Sequence, residues 1–220
     1  MIQIFLKATF ALSTALLVSC TATKSKNQNF LSSYQGFKQD SKLDNESSYR
    51  GDLSKLSDYD SVFLEEVKVF KPQDMEKKKI TEDELLELKK AFRAALIEDL
   101  KESRYSLVSK ASPKTLSLRA AVTEIYPGNP GLFAAGYLPY VGTAITATKL
   151  ATGEKVGAGS ATIEAELLDS VTRERFFAVI DENAGSKIDI ASGLSRWGHV
   201  ELAFRKWAET IREAIAESEP

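Results

Sequence analysis

The sequence is poor in the residues that carry most metal and redox chemistry. Only one cysteine, Cys20, and one histidine, His199, occur among 220 residues. A single cysteine excludes an internal disulfide and any redox or metal site built from several cysteines, and a histidine-based zinc site lacks the further ligands that it needs. We therefore expect no metal and no organic cofactor. His199 itself is expected to be structural or exposed on the last helix.

Long basic runs are also absent. The longest run is Lys77–Lys79, and acidic residues flank it on both sides. The net charge is −2 from 29 basic and 31 acidic residues, and it becomes −3 if a leader containing Lys7 is removed. This balance excludes the basic footprint of a nucleic-acid-binding protein. With 43% hydrophobic and 27% charged residues, the chain has the composition of an ordinary globular protein.

The apolar run near the N-terminus is too short for a spanning helix. Ala8 to Val18 is an uncharged stretch of eleven residues that follows Lys7, whereas a spanning helix needs about 20 apolar residues. This pattern is typical of a signal peptide. The stretch ends in the sequence LVSC, which resembles the lipobox of bacterial lipoproteins. The resemblance implies cleavage after residue 19 and acyl chains, palmitate among them, on Cys20.

The residue after the cysteine indicates in which membrane a lipoprotein is anchored. In Gram-negative lipoproteins an aspartate at this place retains the protein at the inner membrane, and here the residue is Thr21. The resemblance thus implies the periplasmic face of the outer membrane, if the source is Gram-negative, with the bilayer as partner through Cys20. A secretory signal peptide with a chance cysteine and an uncleaved anchor are the alternatives.

A polar stretch follows the cysteine and predicts the domain organisation. Thr21 to Gly51 is rich in serine, lysine, asparagine and glutamine, a composition that favours disorder. We expect a cleaved signal peptide at 1–19, a lipidated cysteine with a flexible tether at 20–56, and one globular domain at 57–220. Four large apolar residues interrupt the tether. They either pack on the body as a strap or bind a partner: Phe30, Leu31, Tyr34 and Phe37.

Alternating and helical periods in the body predict an α+β fold. The alternation in 59–70 indicates a strand with a slip at Glu65, and the capping box Thr81–Glu84 opens a helix. The last helix is predicted to be capped near Ser195. Further strands are indicated at 105–109, 115–125, 162–168 and 176–181, the last two as a hairpin. The expected architecture is a mostly antiparallel sheet of four to five strands, with two long amphipathic helices on one face.

One uncharged segment, Gly131–Thr148, does not fit this pattern. It could fold as a loop and a short helix on the core, expose an apolar patch for oligomerisation or a partner, or insert into a membrane as part of a ring-shaped pore. Its glycines and proline argue against a plain spanning helix. If it is exposed, the candidate interface consists of Leu132, Phe133, Tyr137, Leu138, Tyr140 and Val141.

A catalytic constellation is not evident in the sequence. Glu164 and Glu166 would share one strand face at a separation that glycosidic acid–base chemistry can use, but alternating acids are more typical of an exposed, solvated face. The G-x-S-x-G elbow, the dinucleotide fingerprint and EF-hand spacing are all absent. We therefore predict no catalytic residues and no enzymatic activity.

Several short motifs, taken in order, resemble one family. They are FLSSY at 30–34, YDSV at 59–62, LRAAVTE at 118–124 and AELLDSVT at 165–172. Together they are similar to the bacterial lipoproteins grouped as domain of unknown function 3313, over about residues 28 to 215. Arg173 departs from that family, which usually has glycine there. The family has no assigned activity, so the resemblance implies no catalytic residue.

These patterns favour a non-enzymatic envelope lipoprotein that binds a partner protein, associates with itself or helps envelope assembly. A second hypothesis is a domain that binds a small molecule or lipid in a cavity between sheet and helices. A glycan hydrolase and a subunit of an oligomeric outer-membrane pore are further alternatives.

Overall fold

The computed structural model describes residues 29–39, 46–135, 157–184 and 190–216. Within these ranges the chain forms one eight-stranded sheet with helices, which confirms the α+β class. The strands are β1 (Lys38–Gln39), β2 (Glu46–Arg50), β3 (Ser61–Leu64), β4 (Lys68–Val69), β5 (Ser106–Val108), β6 (Thr115–Tyr126), β7 (Ser160–Asp169) and β8 (Arg175–Ala184). Their order along the sheet is β1-β2-β8-β7-β6-β3-β5, and β4 also pairs with β6.

The sheet is mixed, with a long antiparallel centre. The contacts of β6 with β7, of β7 with β8 and of β8 with β2 are antiparallel, whereas β3 and β4 run parallel to β6. The expectation of four to five strands was wrong because β1 and β2 lie in the range assigned to the tether, and because the one strand expected over 59–70 is divided into β3 and β4. The strands expected at 105–109, 115–125, 162–168 and 176–181 are present as β5, β6, β7 and β8.

The fold extends upstream of the boundary expected at Ser57. Strand β2 pairs with β8 over five residues, from the Glu46–Asp181 pair to the Arg50–Phe177 pair. A 3-10 helix at Leu53–Asp58 then buries Leu56. Part of the range that composition assigns to a tether therefore belongs to the sheet.

The predicted slip near Glu65 is confirmed as a break between two strands. Strand β3 ends at Leu64 and β4 begins at Lys68, and both pair with β6. The Glu65 N–H donates to the Leu118 carbonyl over 2.9 Å, so the chain stays attached to β6 as it changes register. This break leaves the Glu65 side chain beside β6.

The described helices are α1 (Met75–Lys78), α2 (Glu82–Lys101), α3 (Pro130–Ala135), α4 (Ile190–Gly193) and α5 (Gly198–Ala216). The capping box of α2 is confirmed: the Glu84 N–H donates to the Thr81 hydroxyl over 3.2 Å, and the Thr81 N–H donates to Glu84 Oε2 over 2.8 Å. Helix α5 begins three residues after the predicted cap at Ser195, because the Trp197 carbonyl accepts the first helical bond from Glu201.

The main core lies between one face of the sheet and the two long helices. Phe92 of α2 stacks on Phe204 of α5 with ring centroids 4.8 Å apart, and Trp207 is 2% exposed. Alternate residues of β6 and β7, such as Leu118 and Ile163, face this core and are fully buried. The placement of both helices on one face is confirmed. Among the described residues, no helix has the length and apolar character needed to cross a bilayer.

The predicted hairpin is formed by β7 and β8, and its turn is tight. Asp169 Oδ1 accepts hydrogen bonds from the backbone N–H of Val171 and of Thr172, at 2.7 and 2.5 Å. Arg173 has φ +63°, a left-handed conformation that favours glycine. The turn therefore keeps the shape that the family's glycine would permit, with an arginine in its place.

Candidate functional site

The second face of the sheet is covered by an N-terminal segment, Asn29–Phe37, which we call the strap. Phe30 and Leu31 are 5% and 6% exposed and pack on Ala121 of β6. Phe70 and Ile180 extend this smaller apolar cluster, with the Phe30 and Phe70 rings edge-to-face at 6.5 Å. The prediction that these aromatic residues pack on the body is therefore confirmed.

The strap buries the two glutamates that alternation places on an exposed face. Glu164 and Glu166 point away from the helical core, as predicted, but both are 0% exposed. The expectation of a solvated face was wrong because the strap lies across β7 at this point. Alternation reveals which side of a strand a residue faces, but it does not show that another part of the chain covers that side.

Glu166 binds the strap through Ser32. The Ser32 N–H donates to both carboxylate oxygens, at 3.1 and 3.0 Å, and the Ser32 hydroxyl donates to Oε2 over 2.6 Å. On the other side, the guanidinium of Arg119 forms an ion pair with Glu166 Oε1. The buried carboxylate thus has a cation and three further hydrogen bonds, the condition under which a buried charge is tolerated.

Glu164 binds the strap through Tyr34. The Tyr34 hydroxyl donates to Glu164 Oε2 over 2.5 Å and accepts a hydrogen bond from the Phe30 N–H over 3.1 Å. The other carboxylate oxygen, Oε1, is buried and has no hydrogen-bond partner among the described residues. Glu164 is therefore less well compensated than Glu166.

Two arginines bind the strap backbone. Arg119 donates to the Phe30 carbonyl over 3.0 Å, and its guanidinium lies over the Phe30 ring at 4.7 Å from the centroid. Arg175 donates to the carbonyls of Ser33 and Gln35, the second over 3.0 Å. We call the set Arg119, Glu164, Glu166 and Arg175 the strap groove. It recognises main-chain groups at four of the nine strap residues.

Burial shapes the electrostatics of the groove. Desolvation raises the pKa of Glu164 above its ordinary value, and the neighbouring charge of Glu166 adds to the effect. The hydrogen bond from Tyr34 and the backbone N–H groups of Leu31 and Phe30 act in the opposite direction and offset only part of this rise. Burial and the hydrogen bond to Glu164 raise the pKa of Tyr34 to about 12. The phenol thus remains a proton donor to the glutamate throughout the physiological range.

A third carboxylate, Glu65, lies at the margin of the groove. It accepts a hydrogen bond from Ser117 over 2.5 Å and pairs with Arg173 at 2.8 Å and with Arg119 at 3.6 Å. Burial alone would raise the pKa of Glu65, but these hydrogen bonds and the two arginine charges outweigh it and lower the pKa. Arg119 is therefore shared between two carboxylates.

The arrangement is suited to holding a peptide segment. Neither Glu164 nor Glu166 reaches solvent, and an acid–base pair for glycan hydrolysis needs a substrate between its carboxylates. In contrast, the arginines and Glu166 match backbone carbonyl and N–H groups of an extended chain. The chemistry offered by the groove is charge-assisted hydrogen bonding to main-chain atoms.

The structure divides the other candidate residues. Leu132 is 45% exposed, whereas Phe133 is 6% exposed and its ring lies 5.0 Å from that of His199. Phe133 is thus internal and not part of an exposed interface. His199 is 3% exposed, which agrees with a structural role. Four further candidates lie outside the described residues: Tyr137, Leu138, Tyr140 and Val141.

A small cleft lies between the segment around α1 and the end of β6. Its volume is about 210 Å³, and Asp74, Lys78, Glu124 and Tyr126 are among its lining residues. Drug-sized ligands occupy pockets of roughly 300–1,000 Å³, so this cleft is small for such a ligand. The described residues contain no group of three or more histidine, cysteine, aspartate or glutamate side chains placed to hold a metal ion.

The sequence indicates the strap and the two glutamates separately, and no pattern in it connects them. The contacts between them join residues 130 and 134 positions apart, and no local period encodes such a pairing. Arg119 and Arg175 were missed because a single arginine in a strand resembles any exposed charge. An available signal was the polar side of β6 and β7, which places Arg119 opposite Glu166.

Comparison with known proteins identifies one family whose model matches most of the chain. A family model described as "Protein of unknown function (DUF3313)" matches residues 26–211. The chain belongs to this family. The match begins upstream of Asn29, so the strap lies within the region that the family shares. No curated protein shows a significant match to the chain.

Solved structures with a similar course of the chain have low identity. The PelC dodecamer from Paraburkholderia phytofirmans is 12% identical, with 76% of this chain and 96% of that chain covered and a TM-score of 0.42. A candidate lipoprotein from Caulobacter crescentus CB15 is 14% identical, with 76% and 97% covered and a TM-score of 0.35. A DUF4136 family protein from Bacteroides thetaiotaomicron is 7% identical, with 82% and 97% covered and a TM-score of 0.39.

Proposed function

We propose that this chain is a lipid-anchored, non-catalytic envelope module that acts by binding, with its body held close to the membrane by the strap. The observation that carries the proposal is the fixation of Phe30–Ser32 on the sheet by Arg119 and Glu166. Because the strap is part of the fold, the free tether is far shorter than the 31 polar residues of 21–51 suggest.

The length of chain between lipid and body sets the distance of the body from the bilayer. Only residues 21–29 separate Cys20 from Phe30. Ten residue steps span at most about 35 Å when fully extended, and a flexible chain of this length has a root-mean-square reach of roughly 17 Å. The body would thus work beside the membrane surface.

The state of the two glutamates supports the absence of catalysis. Their carboxylates are occupied by the strap and by Arg119, and both side chains are withdrawn from solvent. Binding proteins rely on such fixed polar contacts, whereas a general acid or base must reach its substrate. A partner protein of the envelope or a second copy of the chain is the expected ligand.

The anchor is tested by mass spectrometry of the N-terminal peptide of the mature protein from its native host. The expected peptide begins at Cys20 and carries the mass of a diacylglycerol thioether and an acylated amine. Cys20→Ala is expected to release the body from the membrane fraction. A free Cys20 thiol, or residues 1–19 still attached, would overturn the proposal.

The choice of membrane is tested separately with the residue after the cysteine. We expect the wild-type protein in the outer-membrane fraction, and Thr21→Asp in the inner-membrane fraction with its lipid retained. Thr21→Ser is the matched control and should remain in the outer membrane. Wild-type protein in the inner membrane would contradict the outer-membrane assignment and leave the anchor itself intact.

A further inference from the structure

The strap occupies its groove as a bound peptide does. Its groove partners lie 89 to 142 positions away along the chain, and the described residues 29–37 contain no helix or strand. Recognition depends on main-chain groups, on the hydroxyls of Ser32 and Tyr34, and on the packing of Phe30 and Leu31 against the sheet. Nothing in these contacts requires that strap and groove belong to the same chain.

The covalent connection leaves the strap room to move. Strand β1 follows it and pairs with β2 through only two residue pairs, Lys38 with Ser48 and Gln39 with Ser47. From Phe37 to Glu46 there are nine residue steps, which span at most about 30 Å. Release of two residue pairs would thus let the strap reach a groove on an adjacent molecule.

The strap leaves its groove at an edge of the sheet. Phe37 lies 5.5 Å from the Arg175 guanidinium, and Gly36 approaches the Tyr49 ring of β2. Strands β1 and β2 form this end of the strand order. Two copies that meet at their β1–β2 edges would therefore bring each strap close to the other copy's groove.

Strap binding is also partly offset by the burial of charge. Glu164 loses its hydration under the strap, and its Oε1 gains no hydrogen bond among the described residues. Release of the strap would return both carboxylates to water. The strap is consequently held less firmly than its many contacts suggest, which favours exchange.

We propose that the strap groove also takes the strap of a second copy, so that neighbouring anchored copies are joined by reciprocal exchange of residues 29–37. The same contacts form within one chain or between two, so the local concentration of copies decides between them. This inference rests on the proposed lipid anchor, because anchoring through Cys20 confines all straps to one layer beside the bilayer.

The exchange is tested with a photo-crosslinker in the full-length mature protein. Phe37 is replaced by p-benzoylphenylalanine, and equal amounts of ¹⁴N- and ¹⁵N-labelled protein are mixed on liposomes at high surface density. Crosslinks that join a ¹⁴N strap to a ¹⁵N body at β2 or Arg175 report exchange. We expect about tenfold more of these hybrids on liposomes than in the same sample diluted in detergent.

The variants separate exchange from random collision. Ser32→Ala removes the hydroxyl that donates to Glu166 and should reduce the hybrid crosslinks. Gln35→Ala changes an exposed side chain and keeps the carbonyl that Arg175 binds, so it should leave them unchanged. Protection of the β7 amides from hydrogen exchange verifies that the body of each variant is folded. Crosslinks confined to chains of one label on liposomes, or hybrids insensitive to Ser32→Ala, would overturn the inference.

A parallel measurement distinguishes this outcome from failure of the anchor. The mass of the N-terminal peptide in the same samples shows whether Cys20 is acylated. The mixture is also crosslinked at high protein concentration without liposomes, where exchange should still give hybrids. Unacylated protein that gives hybrids in solution would overturn the anchor alone, whereas crosslinks within one label under both conditions would overturn exchange alone.

Discussion

The Tyr34 hydroxyl lies 2.5 Å from Oε2 of Glu164, a carboxylate that the described residues otherwise compensate poorly. The same hydroxyl accepts the Phe30 N–H, so one oxygen atom closes the turn of the strap and fastens it to β7. One phenol therefore links the strap to the sheet, alongside the contact of Ser32 with Glu166 and the contacts of Arg119 and Arg175 with strap carbonyls.

Tyr34→Phe is expected to lower the free energy of unfolding by about 1–3 kcal/mol, because it leaves a buried acceptor without its donor. Urea denaturation of the two proteins measures the difference. Tyr126→Phe is the control, since Tyr126 is 44% exposed and its hydroxyl is not buried in the groove. Equal losses in the two variants would contradict the role assigned to Tyr34.

Replacement of the two glutamates by glutamine is expected to act in opposite directions. Glu166→Gln leaves Arg119 without its fully buried partner and should lower the free energy of unfolding by about 3 kcal/mol. Glu164→Gln removes a poorly compensated charge and should leave stability unchanged or raise it at neutral pH. Comparable losses of unfolding free energy in both variants would show that the two carboxylates are equally well compensated in the groove.

The free energy of unfolding should depend on pH in the way that the raised pKa of Glu164 requires. Its pKa is raised by burial in the folded state, so the folded state binds this proton more tightly than the unfolded state does. The contribution of Glu164 to stability is then largest at low pH and falls as pH rises through its ordinary value of 4.5 towards the folded value. Wild-type protein should lose stability relative to Glu164→Gln over that rise.

Glu65 provides the matched control, because its pKa is lowered in the folded state. The stability that it contributes is present above pH 4.5 and is lost as pH falls below that value. Chemical denaturation of Glu65→Gln and Glu164→Gln at several pH values checks both signs. A wild-type advantage over Glu164→Gln that grows with pH would contradict the account of the groove.

Two substitutions of Arg173 in the hairpin turn should separate the effect of backbone strain from the effect of losing the ion pair. Arg173→Ala and Arg173→Gly both lose the ion pair with Glu65, but only glycine relieves the φ of +63°. We expect the glycine variant to be more stable than the alanine variant by about 1 kcal/mol. Thermal or urea unfolding measures this difference. An alanine variant as stable as the glycine variant would indicate that the turn relaxes.

The sequence predicts the elements in which apolar residues repeat regularly over many positions. The capping box of α2, the apolar stripe of α5 and the hairpin of β7 and β8 each extend over enough residues for alternation or helical spacing to be visible. Strands β1 and β2 were not predicted, because they lie in a polar stretch whose two and five strand residues show no apolar period, and their conformation depends on pairing with a neighbouring strand.

The groove could be predicted only in pieces. The aromatic residues of the strap indicate a segment that must pack somewhere, and Glu164 and Glu166 indicate a polar side of β7. Their meeting depends on the register between β6 and β7, which sets Arg119 beside Glu166. Such tertiary pairing is fixed by the whole sheet, so no stretch of sequence contains it.

Hydrogen exchange at the Ser32 amide in the mature protein tests the central claim most directly. If the strap is fixed in its groove, this N–H, bound to Glu166 at 3.0–3.1 Å, should be strongly protected. Glu166→Ala, which removes both acceptor oxygens, should abolish this protection while the amides of β7 remain protected. Exchange of the wild-type Ser32 amide at the rate of an unstructured peptide would contradict the account.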